Sequence, residues 1–454
     1  MTMLTVAVGG IAILLIGALI SHIMLDFQTS IVRRSGHLTI YKAGYFDFGS
    51  GNPAIYGIDD YKKTIQMISD DPVLSRMVSV VTPIQLFFGI AGNEQADTSK
   101  TIFGQGVVPS ERGRMRRWND YGVSPLDPRD RPLPDDEVDV GIIGRGLAKI
   151  LGMCADLQLP DCPEHPADAS HAPPNPDVSA LPERDFSNLT AQADAQDAVK
   201  PDALHQGFPR LDILSATASG APNVVNFYVH HAEGQGIKDY DDSFVIMNLK
   251  LAQNLVYGRG AHGATGIVLQ LTHTNQLDAA RDRLISLFKQ NKLDLEVHDY
   301  RELTPLYRQV EGFFGFLFSF VALIIGIVAL FTIINTMTMN VMERTTEIGA
   351  MRALGATRES VRRQFVYEGA LLGVFGATLG IALAMLIVFA INHSGMTWTP
   401  PTAAGRIPLQ LYLLGNLKML VGVWLGLVAL AAIASLAPAN RAAKMPIIDA
   451  LRHV

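Results

Sequence analysis

Four stretches without a single charged residue decide most of what this chain can become. Residues 1–25, 312–342, 369–405 and 419–440 contain no Asp, Glu, Lys or Arg. The hydrocarbon core of a bilayer is about 30 Å thick and takes about 20 apolar residues of helix to cross, so every one of these runs is long enough. They predict a membrane protein with four transmembrane α-helices, near 4–24, 314–339, 369–391 and 419–437. A cleaved signal peptide is the alternative for the first run. No basic segment precedes it and no convincing small-residue cleavage site follows Ile20, so an anchored helix is the preferred reading. Hydrophobic residues make up 48% of the 454 and charged ones 18%, which is too apolar for an ordinary soluble enzyme.

Charge assigns the sides. The loop after the second run holds Arg344, Arg352, Arg358, Arg362 and Arg363, and the C-terminal tail holds Arg441, Lys444 and Arg452. The loop between the third and fourth runs has only Arg406 and, at the edge of the fourth run, Lys418. Of 37 basic and 43 acidic residues, ten basic and five acidic lie beyond residue 312, leaving the part before it at −11. Positive loops stay in the cytoplasm, so residues 341–367 and the tail are expected inside. The long segment between the first two runs is then outside.

That outer segment reads as mixed α and β. Residues 37–43, 78–91, 101–108, 243–249, 265–272 and 294–300 carry strand patterns, the 243–249 strand running into a short helix. Residues 141–152 read as a short helix, and 276–293 as an amphipathic helix burying Leu277, Leu284 and Phe288. Strand, helix and strand over 265–300 form a β-α-β unit. Residues 155–207, heavy in Pro, Asp and Ala, read as an insertion or long surface loop. Cys154 and Cys162, the only cysteines, fit a disulfide in an oxidising compartment. A metal reading with His165 and His171 matches no zinc spacing, and two unlinked thiols are the other alternative.

Thr304 and Pro305 mark the start of a helix that nothing breaks before Asn340, about 54 Å at 1.5 Å per residue. About 20 Å of it should project beyond the bilayer as a stalk. In the third run Gly369, Gly373, Gly376 and Gly380 share one face and permit close helix approach, and Gly10, Gly17 and Ser21 make a similar narrow face in the first. Asn335 is polar and deep in the second run, and could make an interhelical hydrogen bond.

Catalytic chemistry is missing. The chain has no Gly-Lys pair and so no P-loop. G-x-S-x-G and H-E-x-x-H are also absent. His230–His231 reads as a surface or structural pair. No catalytic, metal or cofactor site is expected, and no nucleic-acid partner. The apolar runs lack central ionisable groups of the kind proton-driven transporters use, so energy should come from another subunit.

The segment VMERTTEIGAMRALGATRESVRRQF, residues 341–365, is the candidate site. Residues 343–354 read as a short helix with an apolar edge of Ile348, Met351 and Leu354. Gly355 is a natural stop, and Thr357 can cap a new helix. An exposed apolar edge rimmed by charge suggests a docking helix for another protein.

Residues 341–380, together with APANRAAKMPIIDALRHV at 437–454, resemble the signature of the FtsX/MacB-like ABC transporter permeases. SGHLTIYKAGYFD, IIGRGLAKILG and DYDDSFVIMNLKLAQNLVY look like the lipoprotein-releasing branch, LolC/LolE-like. The resemblance implies four membrane helices with a large MacB-like periplasmic α/β domain between the first two, in the bacterial inner membrane. The domain order would be a first span (1–25), the periplasmic domain (26–304), stalk and second span (305–340) and a cytoplasmic coupling segment (341–367). The third span (368–391), a periplasmic loop (392–418), the fourth span (419–437) and a tail (438–454) follow. It also implies a permease dimer, with itself or a relative, and a separate cytoplasmic ABC ATPase that binds the ATP. Carried over, Glu343, Arg344, Glu347, Ile348, Met351, Arg352, Leu354 and Gly355 form the ATPase contact. Membrane lipid and a lipoprotein or other periplasmic protein are the further partners. The expected work is extraction or release of lipoprotein or another amphiphile at the outer face. The alternatives are an FtsX-like regulator of a periplasmic partner, and MacB-like drug or peptide efflux.

Overall fold

A computed structural model describes residues 2–49, 56–123, 132–159, 207–234, 238–258, 263–398 and 407–446. In chain order these form α1 (Thr2–Ser35), β1 (Leu38–Lys42), α2 (Tyr61–Asp70), β2 (Val78–Asn93), β3 (Thr98–Val107) and α3 (Pro109–Arg116). Next come β4 (Val140–Gly144), α4 (Arg145–Ile150), β5 (Arg210–Ala216), β6 (Pro222–Glu233), β7 (Phe244–Asn248) and α5 (Leu249–Tyr257). β8 (Gly266–Leu271), α6 (Leu277–Gln290), β9 (Leu295–Asp299), α7 (Pro305–Glu343), α8 (Thr345–Ala353), α9 (Arg358–His393) and α10 (Leu417–Lys444) complete the chain. They fall into two compact units: one of residues 2–28, 304–398 and 407–446, and one of the described residues within 29–303.

In the larger unit the strands make two joined sheets, because β2 is long enough to serve both. Its first half, Val78–Ile84, pairs antiparallel with β8. Its second half pairs with β3 from Gln85 to Asn93, and with β5 from Ile90 to Gly92. From there the order β3-β7-β4-β6-β5 returns to β2, closing a ring of six strands. Phe87, Ile102, Ile143, Leu211, Ile213, Phe227, Val245 and Met247 fill its core, with Leu147 of α4 and Ala252 and Leu255 of α5. Gly104 has no Cβ because the Phe87 ring occupies that space. On the other side β1 pairs antiparallel with both β8 and β9. β8, α6 and β9 are therefore the expected β-α-β unit, with β1 inserted between its two strands. The face α6 buries is Leu277, Ala280, Leu284, Leu287 and Phe288.

One expected element is corrected. Residues 141–152 are not one helix: Val140–Gly144 is a fully buried strand, and only Arg145–Ile150 is helical. Gly141 leaves room for the Phe227 ring and the Ile246 carbonyl, and the β-branched Ile142 and Ile143 suit a strand held between β6 and β7. Cys154 is disulfide-bonded. Cys162 and residues 160–206, most of the Pro-rich stretch, lie outside the described residues.

The smaller unit is four helices, α1, α7, α9 and α10, each long and apolar enough to cross a membrane. The charge-free runs lie largely within them, but the helices overrun the expected ends. α7 has 39 residues, and although Pro305 opens it, the Thr304 side chain makes no cap hydrogen bond. α10 continues through Pro438 to Lys444, with Pro438 buried. A membrane helix tolerates such a Pro when neighbouring groups stand in for the lost bond.

The glycine face of α9 divides between two partners. A Cβ on Gly369 would lie 2.5 Å from Ser435 Cβ, and one on Gly373 2.7 Å from Ala431 Cβ, both in α10. At Gly376 and Gly380 it would meet Val6 Cβ at 2.8 Å and the Ala7 carbonyl at 2.9 Å, both in α1. Val6, Ile333, Met337, Ala377, Leu427, Ala431 and Ala434 join all four helices in one core. The connection into α10 also packs here: Leu411 and Leu413 bury beside Leu14, Ala18 and Val388. Its backbone is satisfied by neighbours. Asn392 accepts from Leu411 N–H at 2.8 Å and donates to the Leu411 carbonyl at 3.1 Å, and Tyr412 N–H donates to the Ala18 carbonyl at 3.1 Å. Non-helical backbone within an apolar layer requires such partners.

Candidate functional site

The site is built on a one-residue joint. α7 ends at Glu343, α8 begins at Thr345, and Arg344 between them has φ −99° and ψ 20°. The Thr345 hydroxyl turns back onto the Met342 carbonyl at 2.6 Å. After nine residues Gly355, at φ +102°, ends α8 in a backbone conformation that suits glycine. Thr357 then caps α9, its hydroxyl accepting from Ser360 N–H at 3.2 Å.

The apolar edge of α8 does not face solvent as expected. Ile348 is 1% exposed, packed among Val341, Val361, Phe365, Ala439 and Ala442, with Met351 and Met445 partly buried beside it. The cause lies in α10: its run past Pro438 brings Ala439 and Ala442 under α8 and supplies an intramolecular partner for that edge. Leu354 is the exception, 90% exposed.

Two of the four expected charged contacts are also turned inward. Arg344 pairs with Glu368 of α9 at 3.6 Å, and the Asn340 amide donates to the same carboxylate at 3.0 Å. Arg352 donates to the Met445 carbonyl just past the end of α10. What remains outward is Glu343, Thr346, Glu347, Ala350, Ala353 and Leu354, all exposed. Among the described residues neither Glu343 nor Glu347 has an ion pair. Glu359, in the first turn of α9, is taken up by Arg362 at 2.8 Å and Arg363 at 3.2 Å. The joint and α8 thus present the Glu343 and Glu347 carboxylates outward, beside the bare Leu354 side chain.

No group of three or more His, Cys, Asp or Glu suited to a metal occurs among the described residues. His230 and His231 lie on β6 with their Nδ1 atoms 2.8 Å apart, and His231 Nε2 donates to Glu233 at 3.1 Å. Burial by itself would raise the Glu233 carboxyl. The Arg112 charge, the His231 hydrogen bond and the Arg116 charge outweigh it and hold the group well below the usual carboxylate range. The pair is a structural anchor.

Sequence reasoning missed Asn340, Glu368 and Met445. Glu368 sits at the edge of an apolar run, where an interfacial carboxylate looks unremarkable. Its signal is position alone: it is the last charge before the third run, opposite a joint carrying an arginine.

Residues 319–447, the segment that holds most of α7 and all of α8, α9 and α10, match the family described as FtsX-like permease C-terminal. They form an FtsX-like permease domain, and the chain is similar to ABC transporter permeases of the FtsX/MacB type. Similar proteins include the ABC transporter permease YtrF of Bacillus subtilis, 35% identical over 138 residues, 30% of this chain and 31% of that one. The macrolide export ATP-binding/permease protein MacB of a Shewanella species is 30% identical over 45% of this chain and 30% of its own length. The lipoprotein-releasing system transmembrane protein LolE of Haemophilus influenzae is 28% identical over 38% of this chain and 45% of that one. The chain thus covers about a third to a half of the length of these relatives.

Proposed function

We propose that this chain is a permease subunit that couples a separate cytoplasmic ABC ATPase, which binds the ATP, to movement of its large α/β unit in the periplasm. The bacterial inner membrane is its place of work. The substrate is a lipoprotein or another amphiphile taken from the outer face of that membrane. The observation that carries the reading is α8: a short helix between two apolar spans, packed from within and offering Glu343, Glu347 and Leu354 outward. The 454 residues hold no P-loop, so the nucleotide site this reading needs would lie outside them. The LolE relative supports the lipoprotein. MacB and the pyoverdine export protein PvdT of Pseudomonas entomophila, 26% identical over 36% of this chain, support export as the second reading. A second permease copy or a related permease is the lateral partner.

The ATPase is tested by purifying the tagged chain in mild detergent with a co-expressed ATPase. Glu343→Ala with Glu347→Ala should lower its recovery about five-fold or more, the scale of losing a small interface hot spot. Undiminished recovery rejects the docking surface. Sidedness is tested with Leu354→Cys, which should resist an impermeant thiol reagent in intact cells; labelling there would end the proposal. Depletion of the chain then separates the substrates. Lipoproteins held back in the inner membrane support release, whereas macrolide sensitivity with normal lipoprotein sorting supports export.

A further inference from the structure

α8 is fastened at both ends, and to different helices. At its start one carboxylate, Glu368, takes the Asn340 amide at 3.0 Å and the Arg344 guanidinium at 3.6 Å. Asn340 belongs to the last turn of α7 and Arg344 to the joint, four residues apart and so on one face. Glu368 therefore clasps the α7–α8 joint to α9. At the other end Arg352 holds the Met445 carbonyl, where α10 stops. Ile348 is buried between the two fastenings.

The pair is poorly placed to serve stability. Its side chains are 46% and 29% exposed, and ion pairs of that exposure add little. A carboxylate at the head of an apolar run is nonetheless costly to seat near lipid. Its geometry instead suits transmission. Beyond Glu368, α9 packs through Gly369 and Gly373 against α10 and through Gly376 and Gly380 against α1. Packed at this distance, the three helices have little room to slide. A displacement of α8 that reaches α9 and α10 moves that block, whereas without the clasp it could be absorbed at the single-residue joint.

We propose that Glu368 is a positioning residue through which α8 passes its displacement to α9, and that Arg344 and Arg352 work inside the chain as its latches instead of touching the ATPase. This rests on the docking reading above and reassigns two of its residues.

The test uses the full chain with its co-expressed ATPase in nanodiscs, with spin labels at Phe313→Cys on α7 and Ser394→Cys just beyond α9, both exposed positions. ATP with vanadate should shift the label distance in the parent. In Glu368→Gln the ATPase should remain bound with unchanged affinity, while the shift shrinks about three-fold or more, the scale of a broken coupling contact. Arg344→Glu alone should behave alike, and Arg344→Glu with Glu368→Arg should recover the shift. A full shift in Glu368→Gln overturns the inference and leaves the docking reading standing. Loss of ATPase binding in Glu368→Gln or Arg344→Glu also overturns it, because the residue would then serve the interface or the fold. Failure of the parent to retain the ATPase overturns the docking reading and the inference together.

Discussion

His37 shows how much one buried side chain can fix. Its Nδ1 accepts from Leu271 N–H at 3.0 Å, which leaves the proton on Nε2 to be donated to the Thr274 hydroxyl at 3.1 Å. Trp118 packs edge-on against the ring. Burial pushes its pKa down to about 3, with Asp120 opposing only in part. The folded value lies below the ordinary 6.5, so between those limits the unfolded chain binds a proton that the folded chain refuses. Stability is fully present above about pH 6.5 and is lost as pH falls toward 3, by up to about 1.4 kcal/mol per pH unit. Thermal unfolding of the detergent-solubilised chain should follow that slope, and His37→Phe should flatten it between pH 6.5 and 5. An unchanged slope in that variant would place the titration elsewhere. None of this was legible beforehand, because a lone histidine after a glycine gives no sign of which carbonyls and amides will surround it. Ile348 differed: its apolar character was plain, but whether it faced a partner or its own chain depended on α10 running past Pro438. Position in the sequence could not show that.

At the scale of elements, the glycine pattern of α9 was readable and its partners were not. Spacings of 4, 3 and 4 place Gly369, Gly373, Gly376 and Gly380 on one side of any helix. Only the packed structure divides that side between α10 and α1. The division makes a contrast that can be measured. Gly373→Val drives a side chain into Ala431 and the Val428 backbone, and Gly376→Val drives one into Val6 and the Met3 carbonyl. Overpacking of this kind costs about 1–3 kcal/mol. Gly326 of α7 and Gly426 of α10 have nothing within 4 Å of an added Cβ, so valine there should leave the thermal midpoint and the yield in detergent unchanged. Equal loss at all four positions would mean that backbone propensity, not close packing, sets the glycine requirement. Much of the α/β unit was legible in the same partial way. The strands at 37–43, 78–91 and 265–272 announced themselves by β-branched content. The ring they help to build did not, since its closure depends on β2 finding β3 and, more than a hundred residues later, β5. Such distant pairing leaves no local periodicity.

Across the whole molecule, the four long helices are unequally covered. α1 is the most enclosed within the chain and α7 the least. Along α7 a stripe of Ile324, Val328, Phe331, Asn335, Met339 and Met342, spaced by three and four, is exposed throughout. Lipid tails can cover five of these six. They offer nothing to the Asn335 amide, which lies about 12 Å along the helix from Glu343 and has no hydrogen bond among the described residues. An amide is both donor and acceptor, so it is complementary to its own copy on a second α7 placed by a two-fold axis. We therefore expect α7 to meet α7 of a second permease at this level, with a hydrogen bond between the two amides contributing about 0.6 kcal/mol or somewhat more. Asn335→Cys should cross-link copies on mild oxidation of membranes, faster than Leu371→Cys on the exposed side of α9. Asn335→Leu should weaken the dimer in detergent by a few-fold in dissociation constant. Absence of cross-linking at 335, with monomer and dimer populations unchanged by leucine, would leave the amide to lipid and remove α7 as the seam.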